Sequence, residues 1–195
     1  MNMRLENLVE FQVGSPQFRI KESVADAATT YKFYSQNDLE EDLTGVELAT
    51  EEAKQIATTD EVTTVTSGDL VFSLISGRAT IVRKEHGGYL YTQNYVVIEP
   101  GTEVDSKYLV YLLNEDREVA HQFWLGLQGS MVMKYTVKQL RELKIKQLPN
   151  LEKQQAIGDI YFKQMRIQAL RKRIAENETL LTLAVLAEEK QKWTN

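Results

Sequence analysis

The sequence predicts an α+β protein: a mixed, β-rich globular domain over residues 1–150 followed by one long C-terminal coiled-coil helix over 151–195. Three observations carry this. Residues 62–101 hold short β-branched and aromatic runs separated by glycine-containing turns. Beyond Pro100-Gly101 the spacing of apolar residues becomes helical. From Leu151 to Lys192 there is no proline, and Gly158 is the sole glycine.

The chain has 195 residues, enough for one domain with an appendage. A hydrophobic fraction of 43% and a charged fraction of 26% are those of a folded protein. There is no cysteine, which excludes disulfides, zinc–thiolate sites and a cysteine nucleophile. No apolar run approaches the roughly 20 residues of a membrane span. The start, MNMRLENLVEFQ, carries acidic residues where a signal peptide is apolar. The expectation is a cytoplasmic chain with no membrane partner.

Leu5–Val13 is a short apolar-polar segment that stops at the turn Gly14-Ser15-Pro16. Thr29–Ser35 (TTYKFYS) reads as a strand, with Tyr31, Phe33 and Tyr34 as core and rim. Acidic Asn37–Thr44 reads as a loop, and Val46–Ala57 as a short helix or irregular insertion. Strands are expected at Val62–Thr66, Leu70–Leu74, Ala79–Arg83 and Tyr89–Ile98. Turns at Ser67-Gly68-Asp69, Ser76-Gly77 and His86-Gly87-Gly88 divide them.

Asp105 or Ser106 can cap a helix carrying Tyr108, Leu109, Tyr111, Leu112 and Leu113. Asn114-Glu115-Asp116 breaks it, and Val119–Leu125 forms a second helical piece. Thr136–Glu142 is a capped segment, and Leu143–Leu148 (LKIKQL) alternates as a final strand before Pro149. In the last segment Ile160, Ile167, Ile174 and Leu181 recur every seven residues. Lys163, Leu170, Asn177 and Ala184 form a weaker second line. The pattern is a heptad whose natural partner is another chain, with Asn177 suited to fixing register. The competing reading is a solvated helix lying partly on its own domain.

Nothing in the sequence makes an enzyme. His86 and His121 lack a serine elbow, and no phosphate-binding glycine loop occurs. Carboxylate–lysine groups such as Asp42 with Glu52-Ala53-Lys54, or Glu142-Leu143-Lys144, are ordinary for 28 acidic and 23 basic residues.

Six segments in order resemble the DNA-specificity subunit of type I restriction-modification systems: LENLVEFQVGSP (5–16), SGDLVFSLISGRATIV (67–82), TQNYVVIEP (92–100), VDSKYLVYLLN (104–114), QGSM (128–131) and LKIKQLPNLEKQQAI (143–157). The last is the most diagnostic, although Lys153 stands where the family usually has Glu. The resemblance implies a noncatalytic, cofactor-free subunit with a target-recognition domain and a long helix. In that family full-length subunits carry two of each. Their helices pair antiparallel, set the spacing of two DNA half-sites and dock methyltransferase subunits, with the restriction subunit as a further candidate partner. With one recognition domain, this chain would act as a half-subunit. Two copies would pair through residues 151–190 as a homodimer, over a palindrome with a spacer.

Double-stranded DNA as partner calls for cations and paired donor–acceptor side chains. The phosphate candidates are Lys134, Lys138, Arg141, Lys144 and Lys146, with Arg78, Arg83 and Lys84. The base-reading candidates at turns are Gln93, Asn94, Arg78, Gln128 and Ser130. The coiled-coil candidates are Ile160, Ile167, Leu170, Ile174, Asn177 and Leu181. Against DNA binding stands the charge of residues 1–60, with 5 basic and 12 acidic side chains. That imbalance favours an alternative reading, an interaction-only scaffold or competitor on the same fold.

Overall fold

A computed structural model of the chain describes residues 3–25, 27–48, 53–127 and 135–194. The strands are β1 (Met3–Arg4), β2 (Val9–Val13), β3 (Thr29–Lys32), β4 (Gln55–Thr58), β5 (Leu70–Ser73), β6 (Ala79–Ile81), β7 (Tyr95–Pro100) and β8 (Lys144–Ile145). The helices are α1 (Gln36–Thr44), α2 (Ser106–Glu115), α3 (Arg117–Leu127), α4 (Val137–Glu142) and α5 (Leu151–Thr194). The expected α+β class with a long terminal helix is the observed one.

The central sheet is antiparallel with order β2-β7-β5-β6. Its central strands β5 and β7 are buried on both faces, which is why LVFS and YVVI read as continuous apolar runs. Leu70, Phe72, Val96 and Ile98 point into the larger core with Leu109, Val110, Leu113 and Phe123. Val71, Tyr95 and Val97 point the other way, onto Tyr34, Leu39, Val65, Val82 and Tyr91.

Asn37–Thr44 is not a loop. It lies in α1, where Ser35 and Asp38 form a reciprocal capping box and Gly45 ends the helix at φ 66°. Leu39 and Leu43, four residues apart, anchor it in the two cores. Of the acidic residues that suggested a loop, Asp38, Glu41 and Asp42 are helix residues gathered on the buried His86 side chain, described below. The insertion expected over Val46–Ala57 ends in β4, which takes β3 as partner. Residues 49–52 fall outside those described.

Leu5–Asn7 is a single 3-10 turn before β2. Val62–Thr66 makes one bridge, Thr64 to Leu90, rather than a strand. The run Tyr89–Ile98 is divided at Thr92–Asn94, where Tyr95 N–H turns back to the Thr92 carbonyl. The final strand shrinks to Lys144–Ile145 because its partner β1 is only two residues long.

α2 is capped by Asp105, whose side chain accepts from Tyr108 N–H. Asp116 ends it and caps α3 through Glu118 and Val119 N–H. Thr136 and Gln139 form the capping box of α4.

α5 joins the domain through Gln154, Gly158 and Tyr161, spaced by four and three residues on one helix face. The Gln154 carboxamide is 1% exposed. It accepts from Asp105 N–H at 2.9 Å and donates to the Glu103 and Pro149 carbonyls at 3.0 and 2.8 Å. Gly158 lets the helix touch α2. A Cβ there would lie 2.5 Å from Lys107 Cβ and 2.8 Å from Tyr108 N. Tyr161 donates to Glu115 and accepts from Asn114, whose amide in turn holds both backbone groups of Ala79 in β6. Lys107 also pairs with Asp159 at 2.6 Å.

Candidate nucleic-acid interface

The acidic first third is partly internal. In α1 the Asp42 side chain is fully buried, and those of Asp38 and Glu41 nearly so. All three face His86, from the 3-10 turn after β6. His86 Nδ1 lies 2.8 Å from Asp42 Oδ1, and Nε2 lies 3.4 Å from both Asp38 Oδ1 and Glu41 Oε2. Tyr34 Oη donates to the other Asp42 oxygen at 2.7 Å, and Arg83 N–H donates to Oδ1 at 3.0 Å. Tyr34 and Tyr89 flank the imidazole. Both oxygens of the Asp42 side chain are thus engaged within the fold. Among the described residues no group of three or more His, Cys, Asp or Glu side chains is placed to hold a metal ion.

The Asp42 hydrogen bond raises the His86 pKa above 6.5; the charges of Asp42, Asp38 and Glu41 act with it, and burial acts against it. Burial and the Asp42 charge push the Tyr34 phenol upward, so it stays a neutral donor. The raised His86 value fixes the sign of a pH effect. Its stabilisation is complete below about pH 6.5 and disappears as pH climbs through the higher folded value. The melting temperature is expected to fall as pH is raised from 6.5 towards 9. His86→Gln should flatten that slope in a thermal-denaturation series; an equal slope in both proteins would remove His86 as its source.

The predicted cations divide among three places. Arg83 and Lys84 follow β6, at the end of the central sheet where β5 begins, with Arg83 paired to Glu85 at 3.1 Å. Gln93 and Asn94 precede β7 at the opposite end of the sheet, next to Ser15. Lys138, Arg141 and Lys144 lie on α4 and β8. There Lys138 is 4.0 Å from Glu142, and the Arg141 guanidinium sits 5.7 Å from the Phe11 ring centroid. The Lys144 backbone is held at both polar groups by Gln122, and Lys146 pairs with Glu118. Arg78 is half-buried and turned to α5, lining a groove of about 700 Å³ with Met165 and Asn177. Lys134, Gln128 and Ser130 lie outside the described residues.

A second concentration of cations had no signal in the sequence, because its residues are far apart along the chain. The β3–β4 ribbon pairs Thr29 with Thr58, Thr30 with Ala57, Tyr31 with Ile56 and Lys32 with Gln55. Residues Lys21 and Ser23 run beside β4, bonded at the Thr58 hydroxyl and the Ala57 carbonyl. Lys32 and Lys54 stand at the ribbon's base, 5.6 and 5.4 Å from the Tyr89 and Phe33 ring centroids.

On α5, the first line of the predicted seam is exposed, whereas Asn177 of the second line borders the groove that Arg78 lines. Ile160, Ile167, Ile174 and Leu181 are 67, 44, 57 and 66% exposed. From Arg171 to Trp193 every residue is exposed.

The sequence profile of the type I restriction modification DNA specificity domain matches residues 1–178. This chain belongs to that family. The specificity domain accordingly accounts for the α+β body and for α5 as far as residue 178. One solved structure with this fold comes from work on complex assembly and conformational transition of the type I R-M system. It has a TM-score of 0.58 at 18% identity, over 95% of this chain and 43% of that one. Two others are the HsdS subunit from Thermoanaerobacter tengcongensis and the type I restriction-modification S subunit from M. genitalium. The first has 16% identity over 90% of this chain and 39% of its own, the second 14% over 94% and 42%; both have a TM-score of 0.49. This specificity-family chain thus spans less than half the length of each. No match was found among curated proteins. Among the described residues no helix is long and apolar enough to cross a membrane.

Two of the family-like segments gain a physical reason here. Gln154, within the passage LKIKQLPNLEKQQAI, is the buried amide that ties α5 to the loop before α2. Ser15, in LENLVEFQVGSP, bonds Thr63 and the Gln93 backbone, joining the turn at the end of β2 to the turn before β7.

Proposed function

We propose that this chain is a noncatalytic half-size specificity subunit that binds double-stranded DNA. Residues 1–150 recognise one half-site. Residues 151–195 pair two copies through the Ile160–Ile167–Ile174–Leu181 seam and dock methyltransferase subunits, with a restriction subunit as a further candidate partner. One observation carries this beyond family membership: that line of the seam is apolar, periodic and exposed. A second copy related by two-fold symmetry supplies the missing surface and presents two identical domains to a split palindrome.

The test is selection from a random duplex pool, by the purified chain alone and with its cognate methyltransferase subunit. An enriched split palindrome is expected. No enrichment in either case overturns DNA recognition and leaves the interaction-only scaffold, which the pairing of Lys138 and Lys146 with carboxylates favours.

Within the first reading, Lys138, Arg141 and Lys144, with Arg83 and Lys84, contact phosphates, and Gln93 and Asn94 lie near base edges. Lys138→Glu with Arg141→Glu is expected to weaken binding on all sequences alike. It should also reduce the slope of log affinity against log salt by about two. Fluorescence anisotropy across a salt series checks both, and unchanged affinity would make this cluster a solvated face.

A further inference from the structure

Successive side chains on a strand point to opposite faces, so the β3–β4 ribbon has two unlike sides. Thr29, Tyr31, Ile56 and Thr58 share one, on which Tyr31 and Ile56 are half-buried and Thr58 is buried. Thr30, Lys32, Gln55 and Ala57 share the other, on which the first three are exposed. The outer face therefore presents a hydroxyl, an ammonium, a carboxamide and a methyl group in a two-by-two array, with Lys32 opposite Gln55 and Thr30 opposite Ala57.

These are four chemistries that discriminate base edges in the major groove. A carboxamide matches adenine N6 and N7. An ammonium matches guanine O6 and N7. A threonine bonds either kind of edge, and an alanine methyl packs on the thymine methyl. The scaffold fits as well. Two strands about 4.8 Å apart, with side chains, have the width of a groove about 12 Å across.

Charge supports the same occupant. Of the five basic residues in the acidic first third, Lys21, Lys32 and Lys54 stand at the ribbon, and Arg19 lies two residues before Lys21. All four are exposed, and none forms an ion pair among the described residues. Arg4, the fifth, pairs with Glu6. Three of the surrounding carboxylates are withdrawn onto His86. Four exposed cations thus lie on or near the ribbon, with the exposed carboxylates of Glu22 and Asp60 confined to the Lys21 side, where Asp60 accepts from Lys21 N–H.

We infer that the outer face of the β3–β4 ribbon enters the major groove of duplex DNA and reads base edges through Thr30, Lys32 and Gln55. The inference rests on the proposed DNA recognition and assigns its specificity to an element outside the basic cluster of α4 and β8. Lys54, Lys21 and Arg19 contact the flanking phosphates.

The experiment is duplex selection with the parent, Gln55→Ala and Thr30→Ala. Each variant is expected to lose roughly ten- to hundredfold of preference at one or two half-site positions. The remaining positions and the particle mass should be unchanged. A parent motif that both variants reproduce overturns the ribbon assignment alone. No motif from the parent overturns this assignment and DNA recognition together. Because the chain has no cysteine, Gln55→Cys supplies a unique thiol for disulfide cross-linking to a selected duplex carrying a thiol-tethered base in its major groove. Cross-linking is expected within the half-site, and its failure at every half-site base overturns the assignment.

Discussion

Gly158→Val is expected to lower the melting temperature by about 5–10 °C and to strip hydrogen-exchange protection from the first turns of α5. A Cβ at this position meets the Lys107 side chain and the backbone of Lys107 and Tyr108, at 2.5–2.8 Å. Two of those three atoms are backbone inside α2 and cannot swing aside. Overpacking of this kind costs about 1–3 kcal/mol, and displacing the helix also loosens the bonds around Gln154 and Tyr161. Valine in place of glycine within a helix returns only a few tenths of a kcal/mol. For a chain of this size each kcal/mol shifts the melting point by about 2–4 °C. Scanning calorimetry with exchange mass spectrometry over residues 151–165 measures both effects. An unchanged melting point with intact protection would mean that α5 does not rest on α2 at Gly158.

Ile167→Asp with Ile174→Asp is expected to convert a dimer into a monomer, so that light scattering gives 22.4 kDa in place of twice that mass. Both residues are about half exposed in the single chain, so two carboxylates there leave the domain folded. In a pair they would be buried against each other without partners, which a helical seam does not tolerate. The two substitutions thus separate folding from association. A dimer that survives them would place the contact between copies on another surface.

The two predictions touch opposite sides of α5, and the sequence showed only one of them. A seven-residue repeat is visible because isoleucine and leucine stand out against a polar helix. The face that holds the domain is built from Gln154, Gly158 and Tyr161, whose chemistry differs at each step, so no periodicity of apolar residues reveals it. The glycine looked like an exception inside a helix, and it is the point of closest approach. α1 was lost for a related reason. Its carboxylates read as solvated charge, since the histidine that gathers them lies 44 residues on from Asp42. The central strands and the caps of α2 and α4 were legible because each is specified by residues within a few positions of one another. The ribbon pairs two segments separated by all of α1, and β4 has a pattern too short to distinguish from its surroundings.

The joint at Gln154 and Gly158 also has a mechanical meaning. From Gly158 to the end of α5 is about 54 Å of rigid rod. A tilt of about 5° at that joint moves the far tip by about 5 Å, more than one base step of about 3.4 Å. In the proposed pairing over a split site, an error too small to disturb the core would be amplified along the rod until it exceeded one base step. A buried carboxamide with three bonds and a glycine that admits no wedge are means of keeping that angle constant. In the proposed half-subunit, the spacing of two half-sites is therefore held at this joint, far from the DNA it would be matched to.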